Sequence, residues 1–552
     1  MLIQRLIQYA DRLEKTPKYY EKKTVNWVIE VEPDGRAMGS AFLSMEKRFT
    51  KLVPFLSRAG TKINPILLYE KAEYALGFTA EEASEKDRAK AQEKHRGYLD
   101  LLAECAKQTG NADVLAVHRA LSEIDHRKLW PPELKAGDWI VFQVDGRFPH
   151  DDVDVQTYWA EYRDRQKPTE GVTFTCIGCG QDCIPAQRHD LPIPIRGGHS
   201  KGAKLISAND RAYFSYGLEN SLIAPTCEEC ATKYAKALIH LLSDEFSHVV
   251  HRDLSYVFWT KEKASYNIAG LVKNPEPKEV QEFLTLQKGK RTERVKTNQF
   301  YAAALSPYIS RIVVRDWMET TLERVQESLV RWFRLQMVIG GGEERFFGTY
   351  TLAASLYRDA NKEMESNVPM YFLNHAMHGK PLPSSLLLQA VQRCKAEQRV
   401  TAPRAVVMQL CLLQDATSEE EKLMKHEQQK RDPAFLCGQL FAHLDHVQQV
   451  AIGPNATLVD RYYGTASTAP ASVFGFLVRN AQNHLGKIRK LRYNQYVNLN
   501  RVIGEVMDQI KDQIEDFPKL LKPEKQALFA LGFYHQQQIR FKKAEKKVAG
   551  EE

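Results

Sequence analysis

The sequence predicts an α+β fold: a mixed N-terminal body with a cysteine-knuckle insertion, then an all-α helical bundle at the C-terminal end. Three observations lead there. Two short stretches alternate apolar and polar residues and run into Asp-Gly pairs, as strands ending in tight turns do. Four cysteines fall in two CxxC pairs, and beyond Tyr350 apolar residues recur almost throughout at helical spacing. A chain of 552 residues exceeds the ~250–300 residues at which a single core stops growing. Four segments are expected: an α+β domain over 1–170, a cysteine-knuckle and glycine-loop region over 171–240, a central region turning from α+β to helical over 241–423, and a basic helical bundle over 424–552. With 43% hydrophobic and 26% charged residues, the composition excludes a fibre and a wholly disordered chain.

The first residues, MLIQRLIQYADRLEK, place Leu2, Ile3, Leu6, Ile7 and Leu13 at helical spacing, interrupted by Arg5, Asp11 and Arg12. That is an amphipathic helix rather than a signal peptide. No apolar run approaches the ~20 residues that span a bilayer, so a cytoplasmic protein with no membrane partner is expected. In TVNWVIEVEP, Val25, Trp27, Ile29 and Val31 share one face ahead of Asp34-Gly35; in DWIVFQVDGRF, Ile140, Phe142 and Val144 do so ahead of Asp145-Gly146. Between them LLYEKAEYALGF and the stretch Ala80–Gly110 read as helices. VKNPEPKEVQEF through QKGKRTERVKTNQ reads as an exposed connection. Strand character returns at Arg311–Asp316, followed by an amphipathic helix in ETTLERVQESLVRWFRLQMV. Breaks in the helical part are expected at Pro369, Pro381 to Pro383, Pro403 and Pro433. The bundle should hold helices near 434–450, 471–503, 504–516 and 523–547.

Cys176-x2-Cys179 and Cys227-x2-Cys230 each offer two thiolates to one tetrahedral ion. Four sulfur donors suit Zn2+, and a site closed by four protein ligands is structural. The 47 residues between the knuckles require a subdomain to fold between them. Cys183 is either a substitute ligand or a buried thiol; Cys105, Cys394, Cys411 and Cys437 read as small hydrophobes in helices. The run CIGCG, RHDLPIPIRGG, ENSLIAPTCEEC also resembles the zinc-braced HNH endonuclease pattern, which is the rival functional reading. There the order His189-Asp190 is the reverse of that pattern and runs into prolines. His199 and Asn220 do not complete a metal-plus-base set at the expected spacing.

Two loops combine glycine with cations. IRGGHSKGAKLISAN holds Arg196, Lys201 and Lys204 among Gly197, Gly198 and Gly202, which fits backbone approach to a phosphate as well as a flexible surface loop. SRAGTKINPILLYEKAEYALG holds Arg58, Gly60, Lys62 and Asn64, where Asn64 has a structural reading as the cap of a helix starting at Pro65. Charge is uneven. Residues 424–552 contain 19 Lys and Arg against 13 Asp and Glu, a net of +6 out of +8 for the chain. A basic module on a nearly neutral body points to a polyanion. Within it KIRKLRYNQYVNLNR interleaves Lys487, Arg489, Lys490, Arg492 and Arg501 with Tyr493 and Tyr496, cations for phosphates and rings for bases of a single strand.

NPILLYEKAEYALG, RGGHSKGAKLISANDRAYFSYG, LSPYISRIVVRDW, NATLVDRYYGTASTAPASVFGFLVRNAQNHLGK and ALFALGFYHQQQ together resemble the large subunit of the type I-C CRISPR surveillance complex, Cascade. The resemblance implies a non-catalytic subunit of a crRNA-guided assembly. Its partners are the crRNA, the Cascade backbone and crRNA 5′-end subunits, target double-stranded DNA, the displaced single strand and a separate helicase-nuclease. Such a subunit reads the protospacer-adjacent motif while base pairing reads the target. On this resemblance Lys62, Asn64, His199, Ser200 and Lys201 are the candidates for motif contacts, and Arg58, Arg196 and Lys204 for phosphates. His199-Ser200-Lys201 stands where a Gln-Ser-Ser-like stretch is expected in relatives. The resemblance also implies a small subunit made from the same gene. Glu419-Glu420-Glu421-Lys422 requires a purine-rich message just ahead of Met424. Met424, with Met408 as second choice, is therefore the expected internal start.

Overall fold

A computed structural model describes the chain except residues 1, 14–15, 45–48, 57, 59–62, 81, 124–129, 167–170, 190, 263–266, 287–296, 338–344, 417, 454–456 and 550–552. The fold is mixed α+β with a helical C-terminal region, as the sequence predicts. The chain divides into two compact units. The first holds residues 3–191 and 207–237; the second holds 192–206 and 238–552.

The first unit opens with helix α1 (Leu2–Ala10) and strand β1 (Tyr20–Thr24), followed by β2 (Trp27–Val31), β3 (Ala37–Ser44), β4 (Thr50–Pro54), β5 (Tyr69–Lys71) and β6 (Trp139–Val144). β1 pairs with β4, and a second sheet has the order β3-β2-β6-β5. The Asp34-Gly35 turn joins β2 to β3 as expected, with Gly35 at φ 92°. Asp145 and Gly146, at φ 47° and 76°, also make a tight turn, but β6 is followed only by the single bridge Val144–Arg147. β2 and β6 run parallel, Trp27 beside Ile140 and Val31 beside Val144. Helices α2 (Glu85–Thr109) and α3 (Ala112–Glu123) lie between these two strands in sequence, and α3 packs on both. Ser84 caps α2 by accepting from the Asp87 N–H, and Gly110 ends it in the left-handed region. Helix α4 (Val153–Arg165) buries Val155, Tyr158 and Trp159. A short hairpin of β7 (Phe174–Thr175) and β8 (Asp182–Cys183) follows it.

One helix expected here is absent. Residues 65–71 of LLYEKAEYALGF and its lead-in form an extended segment, a turn at Leu67-Leu68 and the edge strand β5; only Ala72–Ala75 is helical. Ile66, Leu67, Leu68 and Tyr69 are all buried, a continuous apolar run that a one-faced helix could not bury. Asn64 therefore caps no helix.

Helix α5 (Glu228–Ser243) leads into the sheet of the second unit. That sheet is antiparallel, with β9 (His248–His251), β10 (Leu254–Thr260), β11 (Gln299–Tyr308) and β12 (Arg311–Thr321) in the order β12-β11-β10-β9. β12 runs five residues beyond the stretch expected. Helix α6 (Leu322–Gln336) follows it directly and buries Val325, Leu329, Trp332 and Phe333 in one core with Phe258 and Phe300 of the sheet. The segment read as an exposed connection contains a helix, Pro277–Leu286, that buries Val280 and Phe283; residues 287–296 lie outside the described residues. After α6 come α7 (Val368–His378), α8 (Ser384–Glu397), α9 (Ala402–Leu413), α10 (Glu419–Lys430), α11 (Pro433–Ile452), α12 (Val459–Ala466), α13 (Phe474–Leu491), α14 (Tyr493–Lys511) and α15 (Pro523–Ala549).

The expected helix over 471–503 is two helices that break at Arg492, which leaves helical geometry at φ −147°, ψ 68°. The buried stripe Phe474, Leu477, Ala481, Leu485, Ile488 continues in phase into Leu499, Ile503, Val506 and Ile510. Apolar spacing alone therefore cannot reveal the break. An unbroken helix would run roughly 57 Å at 1.5 Å per residue, too long for both stripes to cover α11. Folding back at Arg492 lays α13 and α14 on α11 together.

Helices α11 and α15 cross at two glycines. A Cβ at Gly438 would sit 2.0 Å from the Phe529 carbonyl oxygen, and one at Gly532 would sit 2.0 Å from that of Phe435. Backbone meets backbone there, and no side chain fits. Gly438→Ala or Gly532→Ala should each lower the unfolding free energy by about 3 kcal/mol, at the upper end of overpacking changes. Gly504→Ala, in α14 with open space around it, should raise stability by ~0.5–1 kcal/mol. Denaturant unfolding of the three variants checks both signs.

Candidate metal centre and nucleic-acid surfaces

The first cysteine knuckle is the turn between β7 and β8. The Gly180 N–H donates to the Cys176 carbonyl at 2.8 Å, with Gly180 at φ 75° closing the turn. The second knuckle lies just ahead of α5 and within its first turn. The four sulfurs of Cys176, Cys179, Cys227 and Cys230 lie within 4.8 Å of one another. Backbone N–H groups point at them: Gly178 and Cys227 donate to the Cys176 Sγ at 3.4 and 3.3 Å, and Cys230 to the Cys227 Sγ at 3.4 Å. Burial alone would raise the Cys176 thiol, but the donors from Cys227, Cys179 and Gly178 outweigh it and hold it down to about 6. A thiolate ready at neutral pH is what a metal ion requires. Gly178 is constrained to have no side chain, since a Cβ there would sit 2.7 Å from Ile7 and 2.9 Å from Cys230. The quartet can hold one metal ion. Among the described residues it is the one group of three or more His, Cys, Asp or Glu donors close enough to share an ion. Cys183 stands beside the quartet without being part of it. Burial, then the charges of Cys176, Cys227 and Cys179, push its thiol up to about 11.

His189, the centre of the HNH-like run, is buried, and its Nδ1 lies 2.5 Å from the Tyr234 hydroxyl. Asn220 begins a single turn of 3-10 helix at φ 54°. Asp190 lies outside the described residues.

In the glycine loop, backbone groups are engaged, Ile193, Ile195 and Ala203 are buried, and the polar side chains at its tip face water. Ile193 and Ala203 exchange N–H to carbonyl bonds at 2.8 and 2.9 Å, closing the loop at its base. Lys204 then joins the edge strand β12: its N–H donates to the Ser310 carbonyl at 3.0 Å, and its carbonyl accepts from the Ile312 N–H at 2.9 Å. Gly198 donates to Ile195 and Gly202 to His199. Gly197 and Gly202 take φ 76° and 85°, which only glycine adopts freely. Arg196, His199, Ser200 and Lys201 are exposed and Lys204 half-buried. His199 Nδ1 accepts from the Lys201 N–H at 3.1 Å. Bracing of this kind holds one loop shape, in place of the flexible loop the glycines alone would allow.

Of the N-terminal loop, Arg58 and the backbone at Asn64 are described, and both are braced from inside. Arg58, its side chain 20% exposed, pairs with the fully buried Glu70. Its Nε donates to the Asn64 carbonyl at 2.7 Å, and its guanidinium lies 4.1 Å from the centre of the Tyr74 ring. Glu70 also accepts from the Ile66 and Lys71 N–H groups at 2.7 and 2.8 Å. Arg58 thus has an internal task, shaping the backbone that presents Asn64, which its spacing in the sequence did not disclose. Lys62 lies outside the described residues.

The basic block of the bundle sits at the α13–α14 break. Lys487, Arg489, Lys490, Arg492 and Tyr493 are exposed, and Tyr496 is half-buried. The Tyr493 and Tyr496 rings are 6.1 Å apart, and the Arg489 guanidinium is 5.8 Å from the Tyr496 ring centre. Arg501 pairs instead with Glu505. Elemental analysis of the purified chain should find one divalent ion per molecule, and Cys179→Ser should abolish it. A chain free of metal would remove the assignment.

A family model for CRISPR-associated protein (Cas_Csd1) matches residues 6–541, nearly the whole chain. No curated protein matches it. A braced cationic loop, a four-thiol knuckle and a basic, tyrosine-bearing helical end thus occur in a chain that belongs to the Cas_Csd1 family of CRISPR-associated proteins.

Proposed function

We propose that this chain is the non-catalytic large subunit of a type I-C crRNA-guided surveillance complex. In this role it recognises the protospacer-adjacent motif in duplex DNA, helps open the duplex and stabilises the displaced strand. A separate helicase-nuclease then docks on it. Family membership supports a role in CRISPR defence alongside crRNA and other Cas proteins. The observation that carries the finer reading is the glycine loop. Its backbone is fixed at both ends while Arg196, His199, Ser200 and Lys201 stay exposed, the arrangement a groove-reading loop needs. Arg196 and Lys204 serve phosphates; His199, Ser200, Lys201, Lys62 and Asn64 serve the motif. The quartet holds Zn2+ in a structural role, keeping the knuckles at both ends of the segment that carries the loop. No helix among the described residues is long and apolar enough to cross a membrane; the complex acts in the cytoplasm on this reading.

The bundle supports two further points. Its exposed cations and paired tyrosines suit a single strand held by phosphate contacts and stacking. Met424 is 57% exposed, midway along α10, whereas Met408 is fully buried in α9. A product starting at Met424 begins with a short remnant of α10 and contains α11 to α15 entire. It is the small subunit on this reading, and 129 of 552 residues correspond to about 15 kDa of the 63.2 kDa chain.

Two experiments test the proposal. Co-purification with a tag on this chain should yield repeat-derived guide RNA and a C-terminal fragment of about 15 kDa; absence of such guides sinks the complex, and absence of the fragment sinks the internal start. Reversing the charges of Lys487, Arg489, Lys490 and Arg492 should weaken single-strand binding regardless of sequence. It should also flatten the logarithmic salt dependence by roughly 0.7 for each phosphate no longer neutralised. An unchanged salt slope would place the strand elsewhere.

A further inference from the structure

Helix α13 carries one large apolar side chain on the face that the core does not use. Phe474, Leu477, Ala481, Leu485 and Ile488 form its buried stripe. At roughly 100° per residue, Phe476 stands about 200° round the helix from Phe474 and points away from that stripe. Phe476 is accordingly 55% exposed where Phe474 is fully buried. Its ring centre lies 6.0 Å from that of Tyr462, half-buried on α12.

A single exposed apolar residue is ordinary, but this one heads a row. Asn480, Asn483, Lys487 and Lys490 follow Phe476 at steps of four, three, four and three residues, which sets all five on one side of the helix. Asn483, Lys487 and Lys490 are exposed and Asn480 is half-buried. The row stops three residues short of Tyr493, whose ring pairs with that of Tyr496. Ring pairs thus lie near both ends, with amides and cations between them.

The charge around the row has one sign. From Arg461 to Gly504 the sequence holds seven Lys and Arg and no Asp or Glu in 44 residues. A merely solvated surface intersperses both signs, and a protein partner is usually met by complementary charges of both. Rings at intervals, cations and no carboxylate fit a single strand of DNA, which offers phosphates along its length and a flat face at every base. From Phe476 to Lys490 the row is ~21 Å long at 1.5 Å per residue. A strand at 3.4 Å per nucleotide when stacked, or about twice that when extended, covers it in roughly three to six nucleotides.

We infer that Phe476, with Tyr462 beside it, is a base-stacking platform at the far end of a single-strand track that runs along α13 to the basic block. This rests on the strand-binding reading of the bundle given above and adds to it a second stacking site and a length. The test uses the purified full chain, its Phe476→Ala variant and a fluorescein-labelled thymidylate hexamer. Because Phe476 is exposed, the unfolding midpoint of the variant should match that of the parent. Phe476→Ala should weaken hexamer binding at least about fivefold, the lower end of base–aromatic stacking. An abasic residue at one end of the hexamer should cost the parent the same factor, and on that hexamer the variant should bind as the parent does. Parent-like binding of the intact hexamer by Phe476→Ala overturns the platform, as does a loss that persists unchanged with an abasic residue at either end. If the variant binds the intact hexamer normally and instead sheds a protein subunit from the complex purified through this chain, the face belongs to a protein partner and the platform falls. A parent chain that binds no hexamer at low salt overturns the strand-binding reading itself, and the platform with it.

Discussion

The crossing of α11 and α15 at Gly438 and Gly532 fixes the distance on which the C-terminal half of the molecule is built. Because the two backbones touch, the rings on either side interlock. Phe441 lies 5.9 Å from Phe529 and 5.7 Å from Phe533, and Tyr463 lies 5.6 Å from Phe533. Dispersion between close-packed atoms falls off within an ångström, so a wider crossing would loosen every ring at once. From this pair the packing extends both ways. α13 and α14 lie on α11 and carry the basic face; α15 also packs on α8 and α9, which ties the bundle to the remainder of its unit.

A shared device shapes the glycine loop and the segment around Asn64: main-chain groups are occupied by partners inside the protein. In the glycine loop the device is strand-like pairing. Around Asn64 it is a buried carboxylate. Burial pushes the Glu70 carboxyl up against the opposing pull of Arg58 and of two N–H donors. Such a pair holds geometry more than it adds stability. Removing either partner would leave a charge buried alone and release the Asn64 backbone. At the knuckle the device is sulfur, with main-chain N–H groups donating to the Cys176 and Cys227 thiols.

Legibility in the sequence follows how local each signal is. Asp34-Gly35 and the end of α2 at Gly110 were readable because one residue's backbone preference decides them. The CxxC pairs were readable because two thiols at that spacing have few other uses, and the basic face because charge is additive along the chain. The extended segment at 65–71 was not, since its apolar run satisfies helix and strand alike until Glu70 and Arg58 are seen to meet. The break at Arg492 was hidden by a stripe that continues in phase. The helix at Pro277–Leu286 was obscured by its charged neighbours. The internal task of Arg58 is hidden because its partners lie 6 and 12 residues away in loop and edge strand.

The attachment of Lys204 to the strand beginning at Arg311 also sets a timetable. The loop's outer anchor is encoded more than a hundred residues after the loop itself. At ribosomal speeds of roughly 5–20 residues per second the glycine loop waits on the order of 5–20 s for that anchor to be made. Cys227 and Cys230 are made far sooner. Closed on a metal ion, the four thiols would keep the two ends of the 47-residue segment together while it waits for the hairpin. During synthesis such a site would act as a placeholder, its value lying as much in what it prevents as in what it later supports.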